Sequence, residues 1–302
     1  MDIITVKNLT KKFGNFTAVN DISFSVKKGE LIGFLGVNGA GKSTTINMLS
    51  TLISPDGGEA EICGHKLGAD GNEIRRKIGI VYQQNCLDDI LTVKENLICR
   101  GILHGASKSE ALKQLKNLKE ILSLDDILTK KYGSLSGGQK RRCEIAAALM
   151  HTPEILFLDE PTTGLDPATR QDVWHTIEGI RSSTGMTVFL TTHYMEEAAS
   201  AGRIIIISDG KIISEGTPFE LRQKYTYDSV RLYCKPENKD NIINILENEG
   251  ISPVSEDYGV KFSSGTTIEM LPQIVSVKNM IDGFEVVQGN MDDVFLNAVN
   301  QK

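Results

Sequence analysis

The stretch Gly36-Val37-Asn38-Gly39-Ala40-Gly41-Lys42-Ser43 decides the fold. It follows an apolar run, 30–35, and opens into a helical stretch, 44–52. The pattern is GxxxxGK[ST], and it carries meaning only in this strand-to-helix context. Phosphate concentrates negative charge. Consecutive backbone N–H groups, the positive end of a helix and one lysine answer it. Glycine lets the backbone approach the phosphates without a Cβ in the way. Gly36, Asn38, Gly39, Ala40, Gly41, Lys42, Ser43 and Thr44 are therefore the candidate phosphate-binding residues. Lys42 is expected to reach the β- and γ-phosphates, and Ser43 to ligate Mg2+.

Outward from this loop the chain reads as α/β. Ile22, Phe24 and Val26 alternate with Ser23 and Ser25, the period of a half-buried strand. Residues 77–82, 155–158, 187–191 and 203–208 are further short β-rich runs with helical patterns between them. That alternation predicts parallel strands at the centre of a sheet. Residues 84–150 read as a mainly helical insert. In it, Ala111, Leu112, Leu115, Leu118, Ile121 and Leu122 form a stripe at helical spacing, and Ser107 with Glu110 fits a capping box. A composition shift follows 223–228, which predicts domains at 1–225 and 226–302. The second domain reads as strand 229–233, helix 237–248, strands 251–256 and 260–263, helix 268–281 and strand 284–287. This β-α-β-β-α-β order is the ferredoxin-like α+β arrangement. A last helix, 291–300, is expected to dock back on the body through Met291, Val294, Phe295 and Val299.

Two more motifs carry chemistry. Ile155-Leu156-Phe157-Leu158 is an apolar strand that ends in Asp159 and Glu160. Charges there are costly unless a cation balances them. Asp159 is expected to hold the Mg2+ shell, and Glu160 to polarise an attacking water as general base. Leu135-Ser136-Gly137-Gly138-Gln139 precedes a helix over 140–150. Ser136 is an N-cap candidate, and the adjacent glycines leave open N–H groups, a second anion site. One chain needs only one such site per triphosphate, so this loop is expected to serve a nucleotide held by another copy.

The sequence Leu135–Gln139 together with the phosphate loop resembles the ATP-binding cassette family. Phe13 resembles the family's adenine-stacking aromatic. Gln83, with Gln84 beside it, resembles the glutamine that senses Mg2+ and the membrane partner. Gly164-Leu165-Asp166 resembles the D-loop, and His193 resembles the switch histidine. The resemblance covers about residues 3–220. It implies an ABC ATPase domain with antiparallel β and helical subdomains. It also implies two such subunits, as a homodimer, closing head-to-tail on two ATP and Mg2+. Each nucleotide would lie between 36–44 of one chain and Ser136, Gly137, Gly138 and Gln139 of the other. Glu160, His193 and Lys42 would be catalytic, Asp166 would link the two sites, and Ser43, Gln83 and Asp159 would surround the metal. A separate membrane permease would dock near 84–105. Val37, Tyr82, Thr163 and Phe13 depart from common family residues without removing a phosphate, metal or proton-handling group. The tail, with Met291-Asp292-Asp293-Val294-Phe295-Leu296, resembles that of daunorubicin-resistance-type exporter subunits and is expected to buttress the dimer.

Composition agrees with this reading. Of 302 residues, 24% are charged and 40% hydrophobic, an ordinary globular profile. Residues 226–302 carry 6 basic and 12 acidic residues, which accounts for the whole net charge of -6. Such a chain lacks the basic surface that nucleic-acid binding requires, so no nucleic-acid partner is expected. Five cysteines without a CxxC pair read as reduced thiols. The start, MDIITVKNLTKKF, has no apolar h-region, and no run has the length of a membrane span. The expected location is cytoplasmic, peripheral on the inner membrane face. Alternatives are a soluble ABC ATPase of translation or DNA repair, or a nucleotide-sensing scaffold. The sequence shows neither the coiled-coil insertions of DNA-repair relatives nor the second cassette of translation-factor relatives, and intact Glu160 and His193 argue against a scaffold.

Overall fold

The computed structural model describes residues 1–300, the side chain of Glu196 excepted. The chain divides into two compact units, Met1–Glu215 and a second from Gly216 onward. In the first unit the order begins β1 (Asp2–Phe13), β2 (Phe16–Lys27), β3 (Leu31–Leu35), α1 (Lys42–Leu49), β4 (Gly57–Ile62), β5 (His65–Lys66), α2 (Gly71–Lys77) and β6 (Ile78–Val81). It continues with α3 (Val93–Leu103), α4 (Lys108–Ile121), α5 (Gly137–Leu149), β7 (Ile155–Asp159), α6 (Pro167–Thr184), β8 (Thr187–Thr192), α7 (Met195–Ala198), β9 (Arg203–Ser208) and β10 (Lys211–Gly216).

One sheet has the order β2-β1-β4-β5 and pairs antiparallel throughout. The other has the order β10-β9-β3-β8-β7-β6, and β9, β3, β8, β7 and β6 run parallel. Every residue of β3, β7 and β8 is buried, as expected of parallel strands covered on both faces. Ile22, Phe24 and Val26 turn inward from β2. Phe24 meets Phe34 of β3 and Phe189 of β8 with ring centroids 5.8 and 6.0 Å apart, which joins the two sheets through an aromatic cluster.

The helical stretch holds the predicted caps. Ser107 and Glu110 form a capping box on α4. The apolar stripe is narrower than its spacing suggests. Ala111, Leu115, Leu118 and Leu122 are buried, whereas Leu112 and Ile121 remain 39% and 40% exposed at its flanks. One further correction concerns extent: α3 starts at Val93, so residues 84–92 are loop, apart from the cap at Thr92. Among the described residues no helix is long and apolar enough to cross a membrane.

The second unit contains α8 (Pro218–Tyr225), β11 (Ser229–Tyr233), α9 (Pro236–Asn248), β12 (Val254–Glu256), β13 (Gly259–Phe262), α10 (Leu271–Ser276), β14 (Gly283–Val287) and α11 (Met291–Asn300). Its antiparallel sheet has the order β12-β13-β11-β14, closed over a core that includes Val230, Leu232, Ile242, Leu246 and Phe262. The division falls ahead of the composition shift because α8 packs on α11 within this unit. α11 thus finds its partner there, burying Met291, Val294, Phe295 and Ala298, with Val299 only half-buried. α10 is shorter than its pattern suggests. Pro272 is tolerated only in a first turn, so the helix starts at Leu271 and not at Ile268.

Candidate active site

Three strand ends bring the predicted residues to one edge of the parallel sheet. The loop 36–41 leaves β3, Asp159 closes β7, and His193 follows β8. Open α/β sheets bind ligands beyond the carboxyl ends of their strands. β8 lies between β3 and β7, so a residue of β8 can bridge the other two.

The loop is shaped by backbone that only glycine adopts at low cost. Gly41 has φ +107, and a Cβ there would lie 2.5 Å from the Ala18 carbonyl oxygen. Gly41 is also the N-cap of α1 and caps it with no side chain. The first N–H groups of a helix have no intrahelical partner, so this end can accept an anion. Lys42 curls back over the loop. Its Nζ donates to the Gly36 and Val37 carbonyls at 2.8 and 3.1 Å and pairs with Glu160 Oε1 at 3.2 Å.

The two acids differ in their surroundings. Asp159 Oδ1 accepts from Ser43 Oγ at 3.1 Å and from Thr191 Oγ1 at 2.6 Å. Glu160 stands at φ +47, a conformation uncommon for a non-glycine residue. Its N–H donates to the Thr191 carbonyl at 3.0 Å. Its Oε2 accepts from Thr163 Oγ1 at 3.1 Å and lies 3.1 Å from His193 Nδ1. Burial pushes the Glu160 carboxyl up, but Lys42 and then His193 and Thr163 outweigh it and hold the group below the ordinary glutamate value. The carboxylate is therefore ionised at neutral pH, as a proton acceptor must be.

A cavity of about 350 Å³ opens beside these groups, lined by residues that include Phe13, Asn38, Lys42, Ser43, Gln83 and Glu160. Phe13 is half exposed, with Lys11 Nζ 5.6 Å from its ring centroid. Gln83 lines the cavity; Gln84 is not among its lining residues. Phe16, paired with Phe13 across the β1–β2 turn, lines it too and was not singled out by sequence. Ser43 and Asp159 offer two hard oxygens. That suits Mg2+, which is bound by one or two protein ligands plus substrate phosphates. Among the described residues no cluster of three or more His, Cys, Asp or Glu side chains could hold a metal.

Ser136, Gly137, Gly138, Gln139 and Asp166 do not line this cavity. They form a second cluster. Ser136 and Gln139 make a capping box on α5, and Asp166 Oδ1 caps α6 by accepting from Thr169 N at 3.0 Å. A Cβ on Gly138 would lie 2.3 Å from Thr169 Cγ2, so the two helix starts are in close contact. Ser136, Gly137 and Asp166 are exposed.

Sequence reading missed Arg141, Thr163 and Thr191. Arg141 is 5% exposed and donates to the carbonyls of Tyr82 at 2.7 Å, Gln83 at 3.4 Å and Glu160 at 3.3 Å. A partial signal was present: Arg141 and Glu144 stand at i, i+3 spacing at the start of the apolar run 145–149, though Lys140 and Arg142 flank Arg141 with charge of their own.

The family described as "ABC transporter" matches residues 19–163. The linearmycin resistance ATP-binding protein LnrL of Bacillus subtilis is 42% identical, over 99% of each chain. The doxorubicin resistance ATP-binding protein DrrA of Mycobacterium tuberculosis is 43% identical, over 73% of this chain and 67% of its own. A solved dimeric ATP-binding cassette in a post-hydrolysis state, bound to ADP and Pi, superposes with a TM-score of 0.64 at 32% identity, covering 71% of this chain and 98% of that one. The phosphate loop, the paired acids at the end of β7, the histidine after β8 and these likenesses agree, and the chain belongs to the ABC transporter family, in its drug-resistance-type ATP-binding branch.

Proposed function

We propose that this chain is the ATP-hydrolysing subunit of an ABC exporter, with Glu160 as general base. The observation that carries the proposal is the Glu160 carboxylate, held ionised between Lys42 and His193 at the mouth of the phosphate loop. Phe13 stacks on adenine. The N–H groups of 36–44 and Lys42 hold the phosphates. Ser43 and Asp159, with Gln83 alongside, would hold Mg2+, which would supply charge neutralisation on the triphosphate. Glu160 Oε2 accepts the proton of the attacking water, while His193, already 3.1 Å from that oxygen, orients it toward the γ-phosphate.

A second copy completes the site in this reading. α5 presents an N-terminus at Ser136–Gln139, exposed at Ser136 and Gly137, that serves the nucleotide of the partner, and Asp166 links the two sites. ATP-dependent closure and reopening on hydrolysis are a population shift, driven by contacts made only when closed. Transport needs a separate permease. Ile90, Ile102 and Leu103, exposed at 76%, 46% and 77%, support docking near 84–105 and thus a place at the inner membrane face. The relatives' names span resistance to linearmycin and doxorubicin and Nod factor export, which supports a drug, lipid or polysaccharide-class cargo.

The test is affinity capture of tagged Glu160→Gln protein with ATP from detergent-solubilised native membranes. One polytopic membrane protein at near-stoichiometric yield is expected. Recovery of ribosomes, DNA or a soluble dimer alone would overturn the transport reading and leave ATP hydrolysis to be judged by phosphate release.

A further inference from the structure

We propose that Arg141 is a positioning residue for hydrolysis: it locks the helix that starts at Ser136 to the peptide of Glu160 and to the loop that carries Gln83. The inference rests on Glu160 being the base. Its physical ground is the hydrogen-bond pattern of one buried guanidinium. Nη1 takes the Tyr82 carbonyl, while Nη2 reaches those of Gln83 and Glu160. The three carbonyls belong to chain leaving two adjacent parallel strands, β6 and β7. The register of β6 with β7 ends at Val81 and Leu158, so Arg141 ties these two chain segments where that ladder stops.

The cation does not stand alone. Glu144, one turn further along α5, is itself 6% exposed. Its Oε1 accepts from Tyr132 OH at 2.7 Å, Cys86 N at 2.8 Å and Leu87 N at 3.1 Å. Arg141 and Glu144 thus grip the same segment, 82–87, from one face of α5, the first through carbonyls and the second through N–H groups. Both buried charges have their hydrogen bonds met by the protein, and losing either leaves its backbone partners in 82–87 without that bond.

The consequence for chemistry follows from the backbone of Glu160. At φ +47 both peptides flanking Glu160 are held, by Thr191 on the N–H and by Arg141 together with the Thr163 N–H on the carbonyl. A residue in that region persists only when its surroundings over-determine it. Rotating the peptide swings the carboxylate off the water it must deprotonate, and displacements of about 1 Å can cost up to 100-fold in rate. Arg141 is not among the residues that line the cavity beside the phosphate loop. Its loss should lower kcat and spare the affinity of the phosphate loop.

The experiment compares full-length wild type, Arg141→Gln, Arg141→Lys, Glu160→Gln and the Arg141→Gln/Glu160→Gln double variant. Steady-state phosphate release, direct ATP titration and thermal melts are measured on each. Arg141→Gln is expected to lower kcat about tenfold or more, with the ATP dissociation constant within about threefold of wild type. Lysine restores the charge but cannot span separate carbonyls as a planar fork does, so Arg141→Lys should recover only part of kcat. The double variant should turn over like Glu160→Gln alone, because positioning matters only when there is a base to position. Wild-type kcat in folded Arg141→Gln, or multiplicative losses in the double variant, would overturn the proposal. If Arg141→Gln fails to melt cooperatively, Arg141→Lys decides: a reduced kcat with retained affinity supports the proposal, and wild-type kcat overturns it. Should Glu160→Gln itself keep wild-type turnover, the assignment of the base fails instead, and the two failures are distinct.

Discussion

Lys42 Nζ and Glu160 Oε1 lie 3.2 Å apart, with side chains only 4% and 8% exposed. One is the cation of the phosphate loop and the other the proposed base. A γ-phosphate and the carboxylate therefore compete for one ammonium. In the proposed mechanism, ATP binding draws Lys42 toward phosphate and frees Glu160 to face water.

Glu160→Gln removes the base and the competitor together. Turnover should fall about 100-fold or more, the scale of a lost general base, while ATP binds as tightly as in wild type or more so. The neutral variant should also accumulate as an ATP-bound dimer on gel filtration. Weaker ATP binding in a direct titration would refute the competition.

Lys42→Ala should destabilise the chain in a pH-dependent way. It leaves a buried carboxylate without its main cation, at a cost of about 3 kcal/mol near neutrality. The folded-state pKa of Glu160 is depressed from its ordinary 4.5, so its stabilisation is present above that value and fades as pH falls through the folded pKa. The gap between wild type and variant, measured by urea unfolding, should be widest at pH 7 and shrink below 4.5. A gap that is constant with pH would show that the ion pair contributes nothing.

Gly138→Ala should abolish most turnover and leave ATP binding to the chain's own phosphate loop intact. The added Cβ would meet Thr169 Cγ2 at 2.3 Å and push the start of α5 from α6. Thr169→Ser deletes that methyl and keeps the hydroxyl that serves Asp166. The next contact is then 3.7 Å, an ordinary distance, so the double variant should regain activity. No recovery would locate the defect elsewhere.

Phe13→Ala should weaken ATP binding by about 1–3 kcal/mol, the usual worth of base–aromatic stacking, and Phe13→Tyr should not. Fluorescence titration with ATP and with triphosphate alone separates the cases: only ATP binding should suffer. Equal losses for both ligands would argue that Phe13 merely supports the β1–β2 turn.

Much of this was legible because local physics wrote it into the sequence. A helix that starts at Ser136 or Asp166 needs an oxygen on its first N–H groups, and Ser136, Asp166 and Ser107 provide it. Other features were illegible because distant strands set them. Leu112 and Ile121 look like core by spacing, yet the partner surface is narrower than their stripe. Arg141 looks like a solvated charge among Lys140 and Arg142, until three carbonyls from two strand ends enclose it.

The sequence by itself determined that this protein places a glycine loop between a buried strand and a helix, ends a buried strand in two acids and starts a further helix at a serine followed by two glycines. Those are short-range demands, met by residues a few positions apart. Only the tertiary structure decided that β8 stands between β3 and β7, so that Thr191 bonds Asp159 and Glu160, and that Lys42, Thr163 and His193 converge on one carboxylate. Strand order is settled by long-range packing, and no local pattern in the chain encodes it.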